Sequence, residues 1–138
     1  MGTWGFGSFE NDGASDWAYD LAGGSGLQLL QDTFQEVLGN DADYIESGAA
    51  ENAVAAAEVL ATLGGKAGTN LPDSVLDWVR LQGQPVPPSL RTQAVAAVQR
   101  VQRPPCELLE LWEESPDFAQ WQAAMADLLQ RLNEGVTH

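Results

Sequence analysis

Apolar side chains recur at intervals of three and four residues along most of the chain, which is the spacing of an amphipathic helix. From residue 26 onward this spacing predicts six helices, at about 26–38, 48–63, 72–81, 88–103, 106–114 and from Ser115 to about 133. Glycines and prolines fall between these segments and mark their ends. No segment shows the alternation of a strand. With one earlier helix, the sequence predicts an all-α fold: a compact single-domain bundle of about seven short helices.

A Gly/aromatic arm, residues 1–10, precedes the first predicted helix. Glycines alternate there with aromatic residues, which disfavours a helix and permits close backbone packing. Trp4 and Phe6 can cap the core or be presented to a partner, and the sequence leaves both alternatives open. At the other end, residues 134–138 are expected to fray.

The first predicted helix begins at Asn11 or Asp12, both good N-cap residues, and carries aspartates along one face. Asp12, Asp16 and Asp20 fall one turn apart, with Tyr19 beside them. Like charges at this spacing repel by a few tenths of a kcal/mol per pair unless something neutralises them. The pattern suits a solvated face of a very acidic protein, a surface for a basic partner, or a divalent-cation site.

The charge is strongly acidic and unevenly distributed. The chain of 138 residues has 20 acidic and 6 basic residues, a formal net charge of −14. Residues 1–65 hold eleven of the acids and none of the bases. This balance argues against nucleic acid or an anionic membrane as a partner, because both bind through Lys and Arg. It would instead steer cations or a basic protein toward the N-terminal half.

The single cysteine, Cys106, lacks what a catalytic thiol needs. The chain has one histidine, His138, at the end that is expected to fray, so no positioned base is available. The same scarcity argues against serine triads and imidazole metal sites. Cys106 is therefore expected to be buried and structural. Because Met1 is followed by neither a basic nor an apolar run, we expect no signal peptide and a soluble, cytoplasmic protein.

Two acids on the predicted helix 48–63 offer a second candidate site. Glu51 and Glu58 lie seven residues apart on the predicted outer stripe of this helix. With Asp12 and Asp16 they could form a carboxylate-based divalent-metal site. The alternatives are plain surface positions or buried, hydrogen-bonded acids.

Four tryptophans are expected inside the fold and three arginines outside it. The tryptophans on apolar stripes are expected in the core: Trp17, Trp78, Trp112 and Trp121. The predicted helix 88–103 places its arginines outward: Arg91, Arg100 and Arg103. The apolar stripes of three predicted helices are expected to face inward: Leu27, Leu30, Phe34, Val37 and Leu38 in the first; Leu90, Ala94, Ala97, Val98 and Val101 in the second; and Phe118, Trp121, Met125, Leu128, Leu129 and Leu132 in the third.

The opening of the chain resembles the start of a known bacterial family. The pattern is Met1-Gly2-x-Trp4-Gly5-x-Gly7-x-Phe9-x-Asn11-Asp12-x-Ala14-x-Asp16-Trp17, and it is similar to that of the family called domain of unknown function 4259. Weaker similarity extends through Ala55–Val59, Leu71-Pro72 and Trp112. The resemblance implies a small, bacterial, single-domain protein; it implies no reaction and no catalytic residue.

The charge asymmetry favours a non-enzymatic interaction module that binds a basic protein, as an immunity protein or antitoxin does. The expected partner-binding residues are Asp12, Asp16, Tyr19, Asp20, Trp4 and Phe6, and no cofactor is expected. The alternative is a divalent-metal-binding protein or metal-dependent enzyme that uses Asp12, Asp16, Glu51 and Glu58. A structural homo-oligomer is a third hypothesis.

Overall fold

The computed structural model describes residues 26–39, 44–64, 73–81 and 87–134. Within these ranges the chain forms six helices: α1 (Gly26–Leu38), α2 (Ser47–Leu63), α3 (Asp73–Leu81), α4 (Pro88–Val101), α5 (Glu107–Glu113) and α6 (Phe118–Glu134). The described residues form no strand longer than one isolated bridge. The all-α prediction is confirmed. The predicted arm, the first predicted helix and the end of the tail lie outside the described residues.

Helix α2 lies at the centre of the fold. All five other helices contact it. It is buried at Ala50 and at every position from 53 to 62, so it has no solvated face over that stretch. Small alanine side chains suit this position because they let neighbouring helices approach closely. The predicted outer stripe is therefore wrong at Glu58, which is only 4% exposed.

Helices α1 and α4 pack on α2 and on each other. Their buried positions follow the predicted apolar stripes: Leu30, Phe34 and Val37 in α1, and Leu90, Ala94, Ala97, Val98 and Val101 in α4. Helix α1 ends at Leu38, and the backbone N–H of Gly39, the next residue, donates to the carbonyl of Gln35 at 2.7 Å. A Cβ at Gly39 would lie 2.8 Å from that carbonyl oxygen, so only glycine fits here without a shift.

Helix α6 covers α2 and α4 with one apolar stripe. The stripe was predicted and is buried at Trp121, Met125, Leu128 and Leu132. The sequence predicts Ser115 as the N-cap and Pro116 as the first helical residue, but the α-helix begins at Phe118. The Ser115 hydroxyl oxygen accepts a hydrogen bond from the Asp117 N–H at 3.0 Å, so Ser115 caps a turn that precedes the helix.

An aromatic stack joins α5 to α6. The rings of Trp112 and Trp121 lie 6.1 Å apart and nearly parallel, and Phe118 stacks on Trp121 at the same distance. The core prediction is confirmed for Trp78 and Trp121, while Trp112 is half-buried. Trp17 lies outside the described residues. Among the described helices, none has the length and apolar character needed to cross a membrane.

Candidate interaction surface

The start of α5 is tied to the start of α2 by a short parallel bridge. The Ile45 N–H donates to the Pro105 carbonyl at 3.2 Å, and the Glu107 N–H donates to the Ile45 carbonyl at 2.8 Å. The side chains of Ile45 and Cys106 are buried beneath the bridge, and the burial of Cys106 confirms its prediction. The bridge fixes the two helix N-termini side by side.

Glu107 caps α2 from the neighbouring helix. Its Oε1 accepts a hydrogen bond from the Ser47 N–H at 2.9 Å. The residue at the N-cap position of α2, Glu46, makes no capping bond with its own side chain. The carboxylate of Glu107 thus satisfies one of the unpaired N–H groups at the helix start, where negative charge is also favoured by the helix dipole.

Arg100 supports the same corner from inside. It is 1% exposed, and its guanidinium donates to the Arg103 carbonyl at 2.7 Å and to the Pro105 carbonyl at 3.1 Å. The outward position predicted for Arg100 is wrong. Because the turn after α4 leaves carbonyls pointing inward, the planar donor group of an arginine can satisfy two of them at once.

Tyr44 reaches from the other side of the bridge to α5. Its hydroxyl donates to Oε1 of Glu110 at 3.0 Å, and 49% of the residue remains exposed. Desolvation, the hydrogen bond to Glu110 and the charges of Glu110 and Glu107 together raise the pKa of Tyr44 to about 12. Tyr44 is therefore a neutral hydrogen-bond donor at physiological pH.

The outward side of α5 carries carboxylates around an exposed leucine. Glu107, Glu110, Leu111 and Glu114 are spaced i, i+3, i+4 and i+7, which places them on one side of the helix. The opposite side buries Leu108 and Leu109. Leu111 is 53% exposed. We refer to Tyr44, Glu107, Glu110, Leu111 and Glu114 as the α5 face.

A separate ion pair lies between α2 and α6. Glu58 accepts two hydrogen bonds from the guanidinium of Arg131, one of them at 3.0 Å between Oε1 and Nη2. Arg131 also donates from Nε to the exposed Asp127 at 2.8 Å. The hydrogen bond to Glu58 raises the pKa of Arg131, although burial opposes the shift. Glu58 is thus a buried, hydrogen-bonded acid, one of the alternatives that the sequence left open.

Most of the residues that the sequence proposed as a site fall outside the described residues: Asp12, Asp16, Tyr19, Asp20, Trp4 and Phe6. Of the proposed metal ligands, Glu51 is half-buried on α2 and Glu58 is paired with Arg131. Seven residues of helix separate Glu51 from Glu58 by about 10 Å along the axis. Among the described residues, no group of three or more His, Cys, Asp or Glu side chains is placed to hold a metal ion.

The sequence contained a signal for part of the α5 face. The spacing of Glu107, Glu110 and Glu114 opposite Leu108 and Leu109 already indicates an acidic outer side. The hydrogen bond from Tyr44 carried no such signal, because 66 residues separate Tyr44 from Glu110.

The described part of the chain is a small all-α domain with a carboxylate-rich outer helix. The family model for the domain of unknown function (DUF4259) matches residues 2–124, and the chain belongs to this family. The resemblance drawn from the opening motif is confirmed. Comparisons with curated proteins and with solved structures gave no match.

Proposed function

We propose that this protein is a non-enzymatic, acidic interaction module that binds a basic protein partner in the cytoplasm, as an immunity protein or antitoxin does. The observation that carries the proposal is the charge distribution: a net charge of −14, with no basic residue among the first 65. Opposed surface potentials speed association and disfavour wrong partners, so such a surface selects for a basic protein.

The positions of the arginines support this proposal. Arg100 is buried against backbone carbonyls, and Arg131 is paired with Glu58. Of the 6 basic residues, Arg131 is thus balanced by a carboxylate within the fold, and Arg100 offers no guanidinium at the surface. Meanwhile Glu110 on α5 and Glu114 directly after the helix are exposed. The described surface thus presents these carboxylates outward, while two arginines are turned inward; Arg80 and Arg103 remain exposed, Arg80 beside the carboxylate of Asp77.

The metal-binding alternative needs a rearrangement that the interaction proposal does not. Both carboxylate oxygens of Glu58 accept hydrogen bonds from Arg131, so a cation using Glu58 would have to displace that guanidinium. Titration with calcium, magnesium and manganese while following thermal unfolding separates the two proposals. A cation that binds the native state must raise the midpoint, whereas the interaction proposal expects no shift.

The binding test uses two synthetic peptides of equal length and charge, one alternating arginine with leucine and the other arginine with serine. The full chain should bind both, and its affinity should fall steeply as salt shortens the screening length from roughly 30 Å at about 0.01 M to roughly 3 Å at about 1 M. If the chain binds neither peptide, or if its affinity does not change with salt concentration, the proposal is contradicted.

The immunity-like assignment has a genetic test. A basic protein encoded beside this one should arrest growth when expressed alone, and co-expression of the acidic chain should restore growth. Growth arrest that persists in the presence of the acidic chain would exclude this assignment for that neighbour.

A further inference from the structure

The α5 face combines the two features that a docking surface needs, exposed apolar area and uniform charge. Three large hydrophobic residues are markedly exposed in the described ranges: Tyr44, Leu81 and Leu111. Two of the three, Tyr44 and Leu111, belong to the α5 face. Aromatic and apolar side chains at the centre of a patch, surrounded by polar ones, are the usual arrangement of a protein interface.

The charged residues nearest to Leu111 in the chain are all acidic. Residues 107–117 contain five acids and no base. Two of these acids, Glu107 and Glu114, lie four residues before and three after Leu111, so they flank it along the helix surface, and Glu110 precedes it in the chain. A ligand that covered Leu111 with apolar atoms would bring its neighbouring groups against carboxylates, which favours arginine or lysine there.

Fixed contacts hold the face in place before any partner arrives. Leu108 and Leu109 bury the inner side of α5, and Trp112 stacks on Trp121. Glu107 is held by the Ser47 N–H and Glu110 by the Tyr44 hydroxyl. A surface whose side chains are already ordered loses less conformational freedom on binding.

We propose that the α5 face docks a polypeptide segment of the basic partner, in which arginines flank an apolar side chain that packs on Leu111. Arginine suits this face better than lysine, because its planar group binds carboxylates through two hydrogen bonds and stacks on an aromatic ring such as that of Tyr44. This inference rests on the proposed function and assigns it a surface.

The test measures the affinity of the full chain for the arginine–leucine and arginine–serine peptides. Glu110→Gln/Glu114→Gln should weaken both peptides about tenfold, whereas Asp32→Asn/Glu36→Gln, which removes the same charge from exposed positions of α1, should weaken them less than about threefold. Leu111→Ser should weaken only the arginine–leucine peptide, by about tenfold. Leu81→Ser, at a residue that is 82% exposed on α3, is the matched control and should change neither affinity.

The outcomes separate the two proposals. If the unaltered chain binds neither peptide, the proposed function fails and this inference fails with it. If both peptides bind, but the two charge variants weaken them equally and Leu111→Ser has no effect, the proposed function stands and the assignment to the α5 face is overturned. Circular dichroism of each variant checks that the helices remain folded.

Discussion

Arg131 of α6 binds Glu58 of α2 through two hydrogen bonds, although 73 residues separate them in the chain. The side chain of Glu58 is 6% exposed and that of Arg131 is 15% exposed. The pair joins the central helix to the last one. A carboxylate in such a position is stabilised only while a cation faces it, because an unpaired buried charge is costly.

Removing Glu58 should therefore destabilise the fold strongly. Glu58→Gln leaves Arg131 without its main partner, and we expect a loss of about 3 kcal/mol in the free energy of unfolding, measured by urea denaturation. Arg131→Met should cost a similar amount. The double variant should lose less than the sum, by about 1 kcal/mol or more, because the two residues act as one unit.

Asp127 provides the control for the ion pair. It contacts the same arginine, but its side chain is 64% exposed. Asp127→Asn should change the free energy of unfolding by less than about 0.5 kcal/mol. Additive losses in the Glu58 and Arg131 double variant would show that the pair contributes no coupling.

The buried guanidinium of Arg100 leads to a second prediction. Arg100→Met retains much of the side-chain stem but leaves the carbonyls of Arg103 and Pro105 without these donors. We expect a loss of about 2 kcal/mol in thermal or urea unfolding. Gln99→Met, at an exposed position next to Arg100 on α4, should cost less than about 0.5 kcal/mol. Equal effects of the two substitutions would contradict the supporting role of Arg100.

The central alanines of α2 should not tolerate enlargement. Ala56 has no exposed surface and lies where other helices pack around α2. Ala56→Leu should lower the free energy of unfolding by about 1–3 kcal/mol, because added methyl groups must displace packed neighbours. Ala126→Leu, on the exposed side of α6, is the control and should be near neutral. A stable Ala56→Leu variant would argue for unfilled space around α2.

Tyr44 should make stability depend on pH in the alkaline range. The fold holds the hydroxyl proton more tightly than the unfolded chain, since the pKa rises from 10.0 to about 12. The resulting stabilisation is complete below about pH 10 and is lost as the pH rises through about 12. Tyrosinate absorbance of the full chain, compared with Tyr44→Phe, isolates this residue from the other tyrosine.

Glu110→Gln tests the cause of that shift. It removes a negative charge and weakens the acceptor, but it leaves the desolvation of Tyr44, which is the largest cause. The pKa of Tyr44 should therefore fall part of the way toward 10.0 in this variant. An unchanged pKa would mean that Glu110 has no electrostatic influence on Tyr44.

The fold was largely predictable from the sequence because it follows from local patterns. The helix at 26–38 was predicted with the bounds that the structure gives, and the stripe from Trp121 to Leu132 identified the buried side of α6. Such features depend on residues three or four apart, together with glycine and proline at the ends.

The contacts of buried charges could not be predicted, because they depend on packing between distant segments. The helical pattern alone predicts exposure for both Glu58 and Arg100. The burial of Glu58 depends on the helices that surround α2, and the burial of Arg100 depends on the turn carbonyls to which it donates. The Asp12, Asp16 and Asp20 face stays a prediction, since it lies outside the described residues.

The decisive measurement is the affinity of the full chain for the arginine–leucine peptide across a range of salt concentrations. This affinity should fall steadily as salt screens the carboxylates, and Glu110→Gln/Glu114→Gln should make the fall shallower. An affinity that stays constant across the salt range would contradict the proposal that an acidic surface of this protein binds a basic partner.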